Sequence, residues 1–490
     1  MLFNSWSFLV FLVVVFAGYY FGPRTIRGTA VGQVLWLTAA SFIFYGWKDP
    51  VLVFLLMGAC AVNAFVSRRL LRRDLSSRSR VRTLAMALTV NLGVLAFFKY
   101  ASLLAKLVLA EHLWAVVGPW LARVPLPVGI SFFTFQGISL VVDSFRAGPE
   151  GFPGLQAAAT GPEIRWFHQR VWFFKAFFPQ LVAGPIVKAG EFFYQIGHKS
   201  LADVNWDQAV KKLIAGFFLK MVVADNLKEA TAALAYPAFM YLPKVNLLAL
   251  LYGFSCQIYS DFCGYSLIAM GLAQLFGYHL PLNFDHPYIS RNITEFWRRW
   301  HISLSSWLRE YLYFPLGGNR RGVLMTYRNL FVVMFLGGLW HGAAWSYAIW
   351  GTAHGLFLAI ERFFARNATR AERQGWTFTG CVGVFVTFNL VSILWLLFKL
   401  PNFSHVVSYA RCLMDNPVSG QPQALFVVAL FSLPVFLQHA WAACPRGVAW
   451  LQTMTGMRSS VWIETLFYAV LLALIVVESG APGEFIYFQF

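Results

Sequence analysis

Three side chains stand where their chemistry is costly to place, and they set the functional question. His301 lies in NITEFWRRWHISLSSWLREYLYFPLGGNRRG, residues 292–322. His341 lies in LFVVMFLGGLWHGAAW, residues 330–345, and Asp261 in QIYSDFCGYS, residues 257–266. A neutral imidazole can take a proton from a hydroxyl near neutral pH, or carry an acyl group transiently. A carboxylate inside an apolar run needs a partner or a water-filled cavity. The run from Leu330 to Ile360 holds no acidic or basic residue but His341 and His354.

His341 is the sharpest of the three. A straight helix of some 30 residues at about 1.5 Å per residue would measure about 45 Å, longer than a hydrocarbon core. A break is therefore expected, and Gly337, Gly338 and Gly342 flank His341. Glycine lets backbone or ligand approach closely. The pattern places an imidazole near mid-membrane at a local break, where ionisable groups usually mark function. A structural histidine is the alternative. His354, thirteen residues on, reads as structural.

The stretch around His301 predicts one amphipathic helix. Asn292 caps it, with Glu295 reaching back in a capping box. Trp297, Trp300, Leu304, Trp307 and Tyr311 recur at steps of three and four and form one face. Arg299, Ser303, Ser306 and Glu310 form another, and Arg298, His301 and Ser305 a third. Pro315 and Gly317-Gly318-Asn319 end it. An interfacial helix, with tryptophan at headgroup depth and arginine snorkelling, explains the aromatic and basic residues but not His301. For Asp261 the expected partners are Arg298, Arg299 or a backbone break near Gly264. A buried ion pair holding helices in register is the structural alternative to a direct role.

The elements that position these residues follow from composition. Of 490 residues 58% are hydrophobic and 12% charged, with 49 Phe, 19 Trp and 19 Tyr. A soluble domain carries about 25% charged residues. The chain is expected to be an all-α polytopic membrane protein. Apolar segments run at about 6–22, 31–46, 50–67, 84–109, 113–135, 170–187, 209–224, 246–277, 328–341, 343–361, 379–400, 424–443 and 461–478. That makes about eleven to thirteen spanning or re-entrant helices. Pro125, Pro127 and Gly129 interrupt one approach, and Pro179 and Pro185 another. Broken helices are tolerated in a membrane only where protein or water satisfies the freed backbone, so re-entrant pieces lining a cavity are expected. The opening MLFNSWSFLVFLVVVFAGYYFG has no basic leader and reads as a retained first span.

The net charge of +18 does not point to nucleic acid. Arginines cluster beside apolar spans, as in SRRLLRRDLSSRSRVR, residues 67–82, with seven Arg against one Asp. That loop is expected to be cytoplasmic, and the basic regions Arg298–Arg321 and Arg362–Arg373 to lie on or near the same side, beside anionic lipid. Ala147–Gly161 reads as a surface connection, and 401–423 as the longest later polar stretch. The six cysteines are scattered without CxxC and read as buried thiols. No HExxH, P-loop or GxSxG pattern occurs, so neither a zinc site nor a serine-hydrolase elbow is expected.

Taken together, EFWRRWHISLSSWLREYLYFPLGGNRRG, LGGLWHGAAWSYAIWGTAHG, YSDFCGYSLIAMGLAQLFGYHLPLNFDHPY, the opening MLFNS and the closing FIYFQF resemble the membrane-bound O-acyltransferase family, and within it the alginate O-acetyltransferase branch. The resemblance spans nearly the whole chain. Leu267 stands where relatives often carry an acidic residue, which weakens any ion site there. The resemblance implies a ring of tilted helices around a central funnel or tunnel. It implies that the WHG histidine, His341, is catalytic and that the WRRWH histidine, His301, is the second invariant polar position. His341 would act as general base or acyl carrier. His301 would orient the partner or hold the thioester carbonyl.

Arg298, Arg299 and Arg320 are candidates for the phosphates of the donor at the cytoplasmic mouth, and Trp300, Trp340 and Asp261 for the substrate path. The donor implied is acetyl-CoA, with no tightly bound cofactor and no metal. The acceptor implied is an exported polysaccharide, reached directly or through a periplasmic partner protein, in a bacterial inner membrane. The whole chain, 1–490, is expected to be one membrane domain, with N-terminal spans 1–110, a catalytic core of about 125–362 and C-terminal spans 379–478. Cellulose, peptidoglycan or teichoic-acid D-alanylation are alternative acceptor chemistries. A transporter or a scaffold of a polysaccharide export complex is the alternative without chemistry.

Overall fold

In the computed structural model the described residues form α-helices, with short 3-10 and π-helical turns among them. The structure describes residues 1–490 other than 110, 153, 157–159, 366–377, 421, 481, 482, 484 and 486–490. Among the described residues no strand occurs, and one isolated bridge joins Phe152 to Leu155 within the expected surface connection. Most of the basic loop expected at 362–373, and all of the closing FIYFQF but Phe485, lie outside the described residues.

Among the described residues five helices are long and apolar enough to cross a bilayer: Val51–Leu70, Ser77–Val108, Val323–His341, Phe378–Lys399 and Pro422–Ala443. Trp6–Phe21, Ala30–Tyr45 and Val461–Val477 are shorter apolar helices. The 32-residue helix Lys244–Leu275 has the length but carries buried Ser255, Gln257, Ser260 and Asp261. It runs without a break at Gly264, contrary to the expectation for that glycine. Prolines stop helices where expected, because they remove a donor and push the preceding residue out of the helical region. Pro125 and Pro127 separate Glu111–Arg123 from Ile130–Ala147. Gly161–Ala176 gives way at Pro179 to the four-residue helix Phe178–Leu181. The polar stretch after residue 401 contains a further helix, Phe403–Asp415.

The chain divides into two compact units, Met1–Leu213 with Ile268–Pro281, and Ile214–Leu267 with Leu282–Phe490. The first has an aromatic core. Phe173 and Phe177 pack on Tyr278 with ring centroids 5.2 and 5.3 Å apart, and Phe192 stacks on it at 5.6 Å. Such pairs add to the burial of their area. Two glutamine side chains bind backbone across it: Gln33 pairs with Lys199 and Gln195 with His279, each donating and accepting once. The arginines of residues 67–82 sit at the end of Val51–Leu70, in the turn that follows, and at the start of Ser77–Val108. Outward residues such as Phe54, 73% exposed, are apolar. A soluble protein would have to hide so much exposed apolar surface; a bilayer accepts it.

The second unit carries all three residues singled out above. Its helices Val323–His341 and Trp345–Ala365 meet backbone to backbone. A Cβ on Gly338 would fall 2.3 Å from the Tyr347 carbonyl oxygen, and one on Gly351 2.2 Å from that of Met334. Small residues at such a crossing let dispersion contacts form along the backbone, the main attraction between helices in lipid.

Candidate active site

The expected single helix around His301 is two. Ile293–Arg299 ends at Trp300, and Ile302–Leu308 begins after His301, which takes the left-handed conformation at φ 43°. Arg309–Tyr313 then widens into a π-helical turn. The faces assigned to one continuous helix therefore do not hold past residue 299. Asn292 caps the first helix as expected, accepting from the Glu295 N–H at 2.8 Å. The Glu295 carboxylate does not return to the cap residue; it accepts from the Arg291 backbone N–H at 3.1 Å. Glu361 supplies the remaining cap, accepting from the N–H groups of Ile293 at 2.5 Å and Thr294 at 2.9 Å. Carboxylates at a helix N-terminus meet both unsatisfied donors and the positive end of the dipole.

His301 is fully buried. Its strained backbone is pinned from a distance, because the Ile302 N–H donates to the Asn283 carbonyl at 2.9 Å and the Asp285 N–H to the Arg299 carbonyl at 2.9 Å. The Asn283 side-chain oxygen accepts from the Ser303 N–H at 3.3 Å and the Ser303 hydroxyl at 2.8 Å. A backbone N–H can only donate, so that atom is the oxygen. His301 Nδ1, 3.1 Å from the same atom, must then carry a proton and donate it. The neutral ring is left with Nε2 as its accepting nitrogen. Phe262 meets the ring edge to face at 4.6 Å.

His341 is the last residue of Val323–His341, with Gly342 extended beyond it, so the expected break falls directly after the imidazole. It is 4% exposed. Its ring is boxed by Trp340 at 5.0 Å, Phe398 at 5.1 Å and Trp350 at 5.3 Å, all edge to face. Trp340 also meets His301 at 6.0 Å, so one indole touches both histidines. His354 lies behind Trp350 at 4.6 Å, and its Nδ1 accepts from Trp297 Nε1 at 3.3 Å. An accepting Nδ1 fits the structural role expected of it.

Asp261 does not pair with Arg298 or Arg299. Its carboxylate lies 2.6 Å from Lys220 Nζ, and the same ammonium lies 2.8 Å from Asp225. All three side chains are buried. Lys220 reaches them from a π-helical turn, Phe218–Ala224. Such a turn widens the helix by one residue and is frequent at functional sites. The signal for Lys220 and Asp225 was present in the sequence as ionisable residues within or beside the apolar run at 209–224. Nothing in the sequence marked Asn283 or Glu361.

A cavity of about 350 Å³ opens beside this cluster, lined by Lys220, Asp225, Asp261, Lys228, Lys399 and a set of apolar residues that includes Tyr347 and Phe398. Its size suits a small ligand. It stops one aromatic ring short of His341 rather than reaching the imidazole. The other expected site residues lie away from it. Trp300 is buried among Phe284, Phe296 and Trp395 at 4.9 to 5.6 Å. Arg298 and Arg320 are exposed. Arg299 bonds Glu295 at 3.0 Å and lies 3.6 Å from the Asp285 carboxylate. Burial pushes the Glu295 carboxyl up, but bonds from Arg291 and Arg299 and the Arg291 charge outweigh it and hold the group below its ordinary range.

The arrangement offers a buried imidazole at a helix end, a second of fixed tautomer, and a nearby cavity with cationic and apolar walls, which is equipment for moving an acyl group between a carrier and a hydroxyl. Comparison with known proteins bears on that chemistry. Residues 156–401 match the model of MBOAT, the membrane-bound O-acyltransferase family. A probable alginate O-acetylase AlgI of Pseudomonas aeruginosa is 37% identical over 410 residues, covering 82% of this chain and 72% of that one. Its counterpart in Pseudomonas putida is 33% identical over the full length of both. A peptidoglycan O-acetyltransferase of Helicobacter pylori is 30% identical over all of this chain and 98% of that one. With a family model over half its length and such identity along the rest, this multi-pass membrane chain is an O-acyltransferase and belongs to the membrane-bound O-acyltransferase family.

Proposed function

We propose that the protein moves an acetyl group from a cytoplasmic thioester, acetyl-CoA, onto a hydroxyl of an exported bacterial polysaccharide, directly or through a periplasmic partner protein, in the inner membrane. The observation that carries this reading is the placement of His341, a buried imidazole at a helix end, one ring from a cavity with lysines and an acidic pair in its wall. His341 takes the proton of the acceptor hydroxyl as its oxygen attacks the thioester carbonyl. The carbon–sulfur bond then breaks, and the thiolate leaves with the proton returned from the imidazolium. Ester and free thiol are the products. His301, with Nε2 as its accepting nitrogen, orients the acceptor from the other side of Trp340. Arg298 and Arg320, both exposed, are our candidates for the donor's phosphates, whereas Arg299 is engaged by Glu295 and Asp285. Asp261, in the cavity wall, lines the donor's path, and Trp300 backs the aromatic wall around it.

The names of the Pseudomonas relatives support an alginate-type polymer. The Helicobacter relative, matched end to end, makes peptidoglycan the second reading. Both acceptors present sugar hydroxyls. The test replaces His341 by Ala and by Gln in the native host and measures ester-linked acetyl on the exopolysaccharide and on the peptidoglycan. Loss of a proton-transferring group costs about 10²–10⁴-fold. Loss from one polymer with normal protein levels identifies the acceptor. Unchanged acetyl on both would end the proposal.

A further inference from the structure

We infer that Phe398, backed by Tyr347, sets the size of the acyl group that reaches His341. This rests on the reading of the cavity as the donor's site. Of the three rings that box His341, only Phe398 also lines the cavity. Tyr347 is the other ring in the cavity wall near that point, 5.0 Å from Phe398. It is fixed against the residue after His341, for a Cβ on Gly342 would fall 2.2 Å from the Tyr347 ring. The two rings form a partition between the cavity and the imidazole.

The partition is held from behind. Phe398 packs edge to face on Trp350 at 4.9 Å and on Trp395 at 5.1 Å, and those indoles stack on each other at 5.6 Å. Phe398 therefore cannot retreat towards them, and it acts as a stop. A reacting carbonyl must come within about 3–3.5 Å of its nucleophile, here the acceptor oxygen whose proton His341 takes. A two-carbon acyl group can meet that condition at the edge of the stop. A longer chain would have to occupy the volume of the Phe398 ring. Lys228 and Lys399 line the same cavity.

The experiment uses host membranes carrying wild type, Phe398→Leu, Phe398→Ala or His341→Ala at equal protein levels. Each is given acetyl-CoA or butyryl-CoA, and the esters on the acceptor polymer are counted by mass spectrometry. A methylene accommodated in an apolar pocket is worth about tenfold or more in discrimination. The butyryl-to-acetyl ratio is expected to rise at least tenfold in Phe398→Ala and by less in Phe398→Leu. An unchanged ratio in variants that still transfer acetyl overturns the inference. So does loss of both transfers in Phe398→Leu with normal accumulation, since that marks a positioning role and no size limit. Failure of the underlying reading looks different: His341→Ala would then match wild type, or wild type would use neither thioester.

Discussion

Asn283 decides which nitrogen of His301 carries the proton. Its side-chain oxygen already accepts from the Ser303 N–H, so the imidazole must donate through Nδ1. Removing that acceptor in Asn283→Leu frees the ring to take the other tautomer and loosens Ser303. Groups that orient metal-ligating imidazoles typically matter by about 10–100-fold in activity, and an effect of the same order is expected here. Acyl transfer at equal protein level is expected to fall by that factor in Asn283→Leu and to recover in part in Asn283→Asp, which keeps the acceptor. Equal activity in all three proteins would show that the tautomer is irrelevant.

Lys220 pairs with two buried carboxylates at once. Lys220→Met leaves Asp225 and Asp261 without their shared cation, and breaking a buried pair in this way costs about 3–5 kcal/mol. Thermal unfolding in detergent should show a large drop for the single variant. The triple variant with Asp225→Asn and Asp261→Asn should regain much of it, because no charge is then stranded. A single variant as stable as wild type would contradict the geometry.

The crossing at Gly338 tolerates no side chain. Gly338→Ala drives a methyl into the Tyr347 carbonyl, and overpacking of this kind typically costs about 1–3 kcal/mol. A lowered melting temperature together with reduced acetyl transfer is expected, since the same movement displaces His341. Retention of both at wild-type level would mean that the helices part without consequence.

Glu295 gives a pH dependence with a definite sign. Its carboxyl is held below the ordinary value of 4.5, so its ionised form stabilises the fold. That contribution is complete above about pH 4.5 and is lost as pH falls through the lower folded value. Melting temperature in detergent should therefore decline below about pH 4.5, and Glu295→Gln should flatten that part of the curve. A variant that declines as steeply as wild type would remove Glu295 as the cause.

Local signals were legible and distant ones were not. The Asn292 cap, the proline breaks at Pro125 and Pro179, and the interruption after His341 all follow from residues within a few positions of the feature. The break at His301 carries no glycine or proline. It is imposed by hydrogen bonds that Asn283, eighteen residues away, accepts, and these outweigh the helical periodicity of the tryptophans. The partner of Asp261 is likewise not legible. Arg298 and Arg299 lie 37 and 38 residues downstream and Lys220 lies 41 upstream, so sequence distance does not separate them, and Lys220 stands on a turn whose widened register no residue pattern announces.

The glycine contact between Val323–His341 and Trp345–Ala365 fixes what can move during turnover. Two helices touching main chain to main chain behave as one strut, and the imidazole at its bend has no slack in which to swing. On the proposed mechanism, delivery therefore falls to the travelling molecules: donor and acceptor would each have to come to a base held in place.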